Sequence, residues 1–504
     1  MRAADIRARL SHPIIDGDGH WLEPIPIFLE YLRETGGAPA VDAMRARWHD
    51  AEEWHRVDWA ERHHKRLRRA IWWGVTVDTY DKATALLPAL LDERLPELGV
   101  DFVILYPTFG LTIPGLGDNL RAAAARAYNA MTMDMFAPYV ARFAPVAIIP
   151  THTPEEALAE LEHAVSQRGY KAIMLHGNVL RTVGAADGVD PPLAANFADN
   201  IALDSAFDYE PLWRRCVELG VAVTQHAGSP RWSDRASISN FSYNHIGHFA
   251  ESNHAFARGL FLGGVARRHP RLNFGLMEGG AGWACTLYAD LIAHWEKRRL
   301  EGLQYPSRTN TDELRRLIAR YGDDRLRAST DALINNLDGF RPERSLQELE
   351  DLQDIHDDFE ASGVGSKAEL RAMYTNSFYF GCEADDPATM WAFDPRLGAR
   401  LQPVFSSDFT HFDVPDFEEV VPEAYEMVEK GWLTDQDFRE FTFSNAARLH
   451  ATNNPAFFAG TAVEQAVASE LALRSPLPVG ELRLPDSPNG PHRSEQSPYP
   501  RTSL

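Results

Sequence analysis

The stretch "IIDGDGHWLEP", residues 14 to 24, opens with two isoleucines and then sets Asp16, Asp18 and His20 among glycines. A short apolar run ending in an acid and an imidazole reads as a strand. Side chains two apart on a strand share a face, so Asp18 and His20 can converge on one point at its end. That is how a metal site would begin, and whether the pattern recurs along the chain decides the fold.

It recurs seven times. Runs rich in β-forming residues and bounded by turn residues follow at 101–107 ("DFVILYP"), 142–150 ("RFAPVAIIP"), 170–177 ("YKAIMLHG"), 221–228 ("VAVTQHAG"), 272–279 ("LNFGLMEG"), 377–383 ("SFYFGCE") and 402–409 ("QPVFSSDF"). Most are near-continuous apolar runs, as expected of strands buried on both faces of a parallel sheet. Helical patterns lie between them, at 118–136, 153–169 and 253–270. The second has Thr153 as N-cap, Pro154 at the first helical position and Gly169 at its close. Eight strands alternating with helices predict a distorted (β/α)8 TIM barrel, with a doubly wound open sheet as the alternative.

The barrel is expected over 13–460. Two segments break its rhythm: about 40–95, with Trp48, Trp54, Trp59, Trp72 and Trp73, reads as a helical insertion and a candidate lid, and about 296–375 as a charged helical insertion. The tail from 474 to 504 is rich in Pro and Ser and is expected to be flexible.

Chemistry in such a barrel belongs at the C-terminal ends of the strands. Strand one ends in Asp18 and His20, strand two in Tyr106, strand three in "PTH" with His152, and strand four in His176. Strand five gives His226, strand six Glu278, strand seven Glu383, and strand eight Asp408 with His411 beyond. Buried charges need partners, and a divalent cation supplies one. Asp18, His20, His226 and Asp408 are the strongest candidates. His152 and His411 read more readily as helix caps or solvent-facing groups, Glu383 as part of an acidic turn, and His245 and His248 as equally structural or ligating.

Composition narrows the rest. The chain has 504 residues, 44% of them hydrophobic, enough for one large domain with insertions or several ordinary ones. Its net charge of −22, from 50 basic and 72 acidic residues, argues against a nucleic-acid partner. No apolar run reaches the roughly 20 residues that cross a bilayer, so neither a membrane nor a secreted destination is expected, and the reading is cytoplasmic. Cys216, Cys285 and Cys382 are widely spaced and read as buried apolar residues. Neither a G-x-S-x-G elbow nor an H-E-x-x-H helix is present.

"DGDGHWLEP", "QHAG", "MEGGAGW", "SSDFTHFD" and "SNAARLH…NPAFFAGT" together resemble the amidohydrolase-related branch of the amidohydrolase superfamily, which includes aminocarboxymuconate-semialdehyde and γ-resorcylate decarboxylases. The resemblance implies a distorted (β/α)8 barrel with a metal held by strands one, five and eight, here Asp18, His20, His226 and Asp408. Three departures bear on the reaction. Asp18 stands where the family has His or Glu, Glu278 where the decarboxylases have a strand-six His, and His176 where two-metal members have a bridging Lys or Glu. They imply a second cation. With its long insertions, the chain is more similar to the dinuclear-iron monooxygenases of platensimycin biosynthesis and 2-aminoisobutyrate breakdown than to the short decarboxylases.

The expected function is oxygenation of a small, largely hydrophobic organic acid or its derivative. Asp408, Glu278 and His176 are the expected catalytic residues, and Asp18, His20, His176, His226, Glu278 and Asp408 the expected ligands of two transition metals, iron before manganese or zinc. Hydrolysis, decarboxylation, and a scaffold role in a hetero-oligomer are the alternatives. A homo- or hetero-oligomer is expected.

Overall fold

The eight apolar runs all form strands. In the computed structural model, which describes residues 1–69, 74–183, 195–226, 236–299, 310–335 and 357–473, the barrel is built by β1 (Ile15–His20), β2 (Phe102–Tyr106), β3 (Phe143–Ile149) and β4 (Ala172–Leu175). After a two-stranded hairpin of β5 (Asn178–Val183) and β6 (Ala195–Asn200), it continues with β7 (Val223–Gln225), β8 (Phe274–Leu276), β9 (Phe378–Glu383) and β10 (Pro403–Ser406). The strands pair in parallel in the order β1-β2-β3-β4-β7-β8-β9-β10, and the antiparallel hairpin stands apart. Every barrel-strand residue is buried except Glu383, which explains the unbroken apolar runs. The hairpin was not expected: the fourth apolar run ends at 177, and no strand is expected over 178–200.

The seam between β1 and β10 is closed by side chains. Ser406 Oγ donates to the Asp18 carbonyl at 3.1 Å, while Ser407 N and Oγ donate to the Asp16 carboxylate at 3.1 and 2.5 Å. A Cβ on Gly17 would overlap Val404 of β10, and one on Gly19 would overlap Asp16 and Val103 of β2, so glycine is what lets three strands approach here. The β1–β2 register shifts between Asp16 and Gly19, a bulge that contains Asp18. Bulges re-aim side chains, so the simple period-two reading of this strand holds only up to Asp16.

The helices follow their caps. Thr153 accepts from Glu156 N at 3.2 Å at the start of Pro154–Leu161, and a π-helical stretch, Glu162–Gln167, carries the helix on. The helix Ile25–Ala51 bends at Gly37, whose φ is 72°, beside Pro39, and its second half leads into the first insertion. That insertion is tied to the barrel rim. Trp54 Nε1 donates to Ile238 O at 2.9 Å, Thr76 N donates to Thr410 O at 3.0 Å, and Val75 forms a β-bridge with His411. Trp72 and Trp73 lie outside the described residues.

In the second insertion, Thr311–Tyr321, Asp324–Ala328 and Thr330–Asn335 are helices without a buried residue. The tail 474–504 lies outside the described residues. All three cysteines are buried and unbridged. No helix among the described residues is long and apolar enough to cross a membrane.

Candidate metal centre

His20, at the end of β1, is 1% exposed, and its Nδ1 bonds Pro107 O at 2.7 Å. A carbonyl only accepts, so Nδ1 carries the proton and Nε2 presents a lone pair. His226 follows β7, and its Nε2 lies 3.0 Å from Nε2 of His20. It also lies 3.2 Å from Asp18 Oδ1 and 3.1 Å from Glu278 Oε2. Asp408, two residues past β10, brings Oδ1 to 3.7 Å from His20 Nε2 and 3.8 Å from His411 Nδ1, which itself is 3.5 Å from Glu278 Oε1.

Two sets of ligand atoms therefore lie mutually within 4.8 Å: Asp18, His20 and His226, and His20, Glu278, Asp408 and His411. They hold six side chains in all, three imidazoles and three carboxylates, all buried. Asp18 is fully buried, and neither of its carboxylate oxygens has a hydrogen-bond partner. Burial first, then neighbouring acids, pushes the Glu278 and Asp408 carboxyls well above the usual range. Burial first, then the facing imidazoles, pushes His20 well below its ordinary value. Ser406 Oγ donates to Asp408 Oδ1 at 3.1 Å, but acceptors crowded together in this way are costly unless a cation sits among them, and these ligand atoms fit one. Glu278 and Asp408 hold left-handed backbone, φ 53° and 49°, as does Thr410 at 91°. Strain of this kind persists where surrounding structure imposes it and clusters at functional sites.

Five of the six expected ligands, Asp18, His20, His226, Glu278 and Asp408, are thus brought together. His176 is not: it joins neither set among the described residues. It is buried, its Nε2 has no hydrogen-bond partner, and burial, with His226 and His152 nearby, pushes its pKa down to about 3. His176, expected as a ligand, is a neutral ring that interacts with His226 and stands outside both sets. His411, expected to cap a helix or face solvent, is 1% exposed and belongs to the second set.

The surroundings fix these groups. Asp16 links the β1 bulge to Ser407, one residue before Asp408. Glu23 accepts from the amides of Thr108, Phe109 and Gly110 at 2.9, 3.1 and 3.1 Å, holding the loop after β1 against the loop after β2. Tyr106 donates to Thr224 at 2.8 Å and turns its ring to His226, 5.1 Å between centroids.

A cavity of about 390 Å³ opens on Glu278. His245, His248 and Phe249 line one part, and Glu383, Asp385, Asp386 and Asp413 another. Glu383 ends β9 and faces solvent through the cavity. Low solvation there, with Asp413 and Asp385 beside it, pushes its pKa up to about 8. His152, by contrast, contributes its carbonyl, which accepts from Arg181 Nη1 at 2.8 Å.

A parallel eight-stranded barrel with imidazoles and carboxylates gathered at the C-terminal rim has the architecture of a metal-dependent barrel enzyme. The chain belongs to the amidohydrolase family, whose members are metal-dependent enzymes, and the model of that family matches residues 112–376, just over half of the chain. Among solved structures, an amidohydrolase from Mycobacterium avium subsp. paratuberculosis is 15% identical with a TM-score of 0.50, over 87% of this chain and 99% of that one. A dihydroxybenzoic acid decarboxylase from Polaromonas sp. JS666, solved with manganese and 2-nitroresorcinol, is 15% identical with a TM-score of 0.48, over 89% and 99%. A 5-carboxyvanillate decarboxylase from Novosphingobium aromaticivorans, solved with manganese, is 14% identical with a TM-score of 0.46, over 88% and 97%. At these identities the likeness is one of fold. A search of curated proteins found no match.

Proposed function

We propose that the chain is a non-haem monooxygenase with a two-metal centre, iron being the favoured metal. The observation that carries this is the first ligand set, Asp18 with His20 and His226. Two imidazoles and one carboxylate with positions left open is the donor pattern of non-haem Fe(II) oxygenases, and the absence of thiolates from both sets favours iron or manganese over a sulfur-bound metal. The second set adds Glu278, Asp408 and His411, more donors than one catalytic ion with open positions uses. When bound, the pair of metals would supply O2 activation.

The chain's own residues have separable tasks. His20 is held in one tautomer by Pro107, so its Nε2 is always available. Glu278 and Asp408 would each hold a metal through one carboxylate oxygen, leaving the other able to accept a proton. The buried ring of Tyr106 and the apolar barrel interior beneath exclude water from below.

Hydrolysis is the second reading, favoured by Asp408, whose position at the end of the last barrel strand suits a proton acceptor. Decarboxylation is less well supported, because Glu278 stands where the resemblance calls for a strand-six imidazole. The test is oxygen dependence. Protein loaded with Fe(II), given ascorbate and a panel of small amines and acids, is expected to consume O2 and yield a hydroxylated product. Turnover at equal rate without O2 would exclude the oxygenase.

A further inference from the structure

We propose that Glu23 is a positioning residue for the metal centre, acting through the turn 107–110 on both ligand sets. The inference rests on the reading of the rim as a metal centre, but not on which ion it holds, how many, or which reaction follows. Glu23 itself belongs to neither set among the described residues, so its influence must pass through other groups.

It lies between β1 and the helix Ile25–Ala51, shortly past His20, and is 2% exposed. Its carboxylate is spent on three successive main-chain amides: Oε1 accepts from Thr108 and Gly110, and Oε2 from Phe109. Burying a carboxylate is costly, and donors aimed at both oxygens offset that cost. The same three bonds fix the turn against the end of β1.

That turn reaches the metal ligands at two places. Pro107 O, one residue before the first amide, accepts from His20 Nδ1 at 2.7 Å, the bond that leaves Nε2 to face an ion, and His20 is common to both sets. Thr108 Oγ1 donates to Trp21 O at 2.8 Å and lies 3.0 Å from Thr410 Oγ1. A hydroxyl has one proton, and that of Thr108 goes to the Trp21 carbonyl, so Thr410 is the donor in the second contact. Thr410 stands between Asp408 and His411 with φ at 91°, and this bond restrains the strained segment that carries both. One buried carboxylate thus pins a turn that orients His20 on one side and the Asp408–His411 loop on the other. Loss of a partner behind a metal ligand typically costs about 10–100-fold in metal affinity.

Glutamine is the sharp substitution at this position. Its one oxygen can keep the two amides on Oε1, but its NH2 would face Phe109 N–H, donor against donor. The test uses the full chain and the metal alone. Mn(II) affinity is read from the electron paramagnetic resonance of the free ion, and ligand geometry from the visible spectrum of the Co(II)-loaded protein. Glu23→Gln is expected to bind Mn(II) at least about 10-fold more weakly than wild type and to shift the Co(II) bands. Thr108→Val, which cuts the link to Thr410 and leaves the Glu23 carboxylate in place, is expected to act in the same direction, and it decides the matter should Glu23→Gln fail to fold.

Glu160→Gln separates positioning from a general loss of stability. Glu160 is 4% exposed on the helix Pro154–Leu161, where it accepts from Asn129 and Arg126, so its loss should lower the urea midpoint of the metal-free protein and leave Mn(II) affinity and the Co(II) spectrum unchanged. Wild-type affinity and spectrum in the folded Glu23 and Thr108 variants overturn the proposal, as does an equal loss of affinity in Glu160→Gln. Wild type that binds no metal overturns the metal reading and this inference with it, whereas wild type that binds Mn(II) no better than Glu23→Gln overturns this inference alone.

Discussion

Replacing Glu278 by Gln should change the protein's stability in opposite directions with and without metal. Glu278 and Asp408 offer ligand atoms within 4.8 Å of each other. Two full negative charges at that separation, at an effective dielectric near about 20, repel by about 3 kcal/mol. Part of this is relieved by a proton, because burial and the neighbouring acids hold the Glu278 carboxyl well above its ordinary value. A carboxyl whose folded pKa is raised costs nothing below its unfolded pKa and costs progressively more as pH rises towards the folded value. The effect should therefore be small near about pH 4 and largest on the alkaline side.

Metal-free Glu278→Gln protein is thus expected to be more stable than metal-free wild type at about pH 8, by roughly 1–3 kcal/mol. With metal the order reverses, because every tenfold loss of metal affinity removes about 1.4 kcal/mol of stabilisation. Urea denaturation of EDTA-treated and Mn(II)-loaded samples at two pH values reads both signs. If the variant is equally less stable with and without metal, Glu278 is an ordinary packed acceptor and the crowding argument is refuted.

Two further outcomes follow from the same groups and from the core. His411→Ala should lose one metal and keep the other, since Asp18, His20 and His226 remain; elemental analysis showing both metals retained would place His411 outside the centre. His450 is buried with no hydrogen-bond partner on either ring nitrogen, stacks on Phe457, and is pushed by burial to about 3. Its folded pKa lies below the unfolded one, so the stability it contributes is present above about pH 6.5 and is lost as pH falls towards the folded value, by up to about 5 kcal/mol. His450→Leu should flatten that acid limb, and an unchanged limb in acid denaturation would show that another group carries it.

The barrel was legible because its strands are buried on both faces, which writes each as an apolar run ending in a polar residue. Asp18, His20, His226, Glu278 and Asp408 could be found for the same reason: each sits within two residues of such a run's end. His411 could not, because it lies past β10 in a turn shaped by Thr410 at φ 91° and held by a bridge to Val75, more than 300 residues away in sequence. His176 has the same local signal, a strand end, and only the three-dimensional arrangement shows that it joins neither ligand set among the described residues. The bulge at Asp18 was equally hidden, since it depends on the register against β2. The acidity of the cavity emerged only when Glu383 and Asp413, from different loops, were brought to one wall.

The central claim is that one rim holds two metal ions. Elemental analysis of protein purified from iron-supplemented cells, and again after reconstitution with Fe(II) or Mn(II), tests it most directly. Two metals per chain are predicted, and one or fewer after reconstitution would contradict the account.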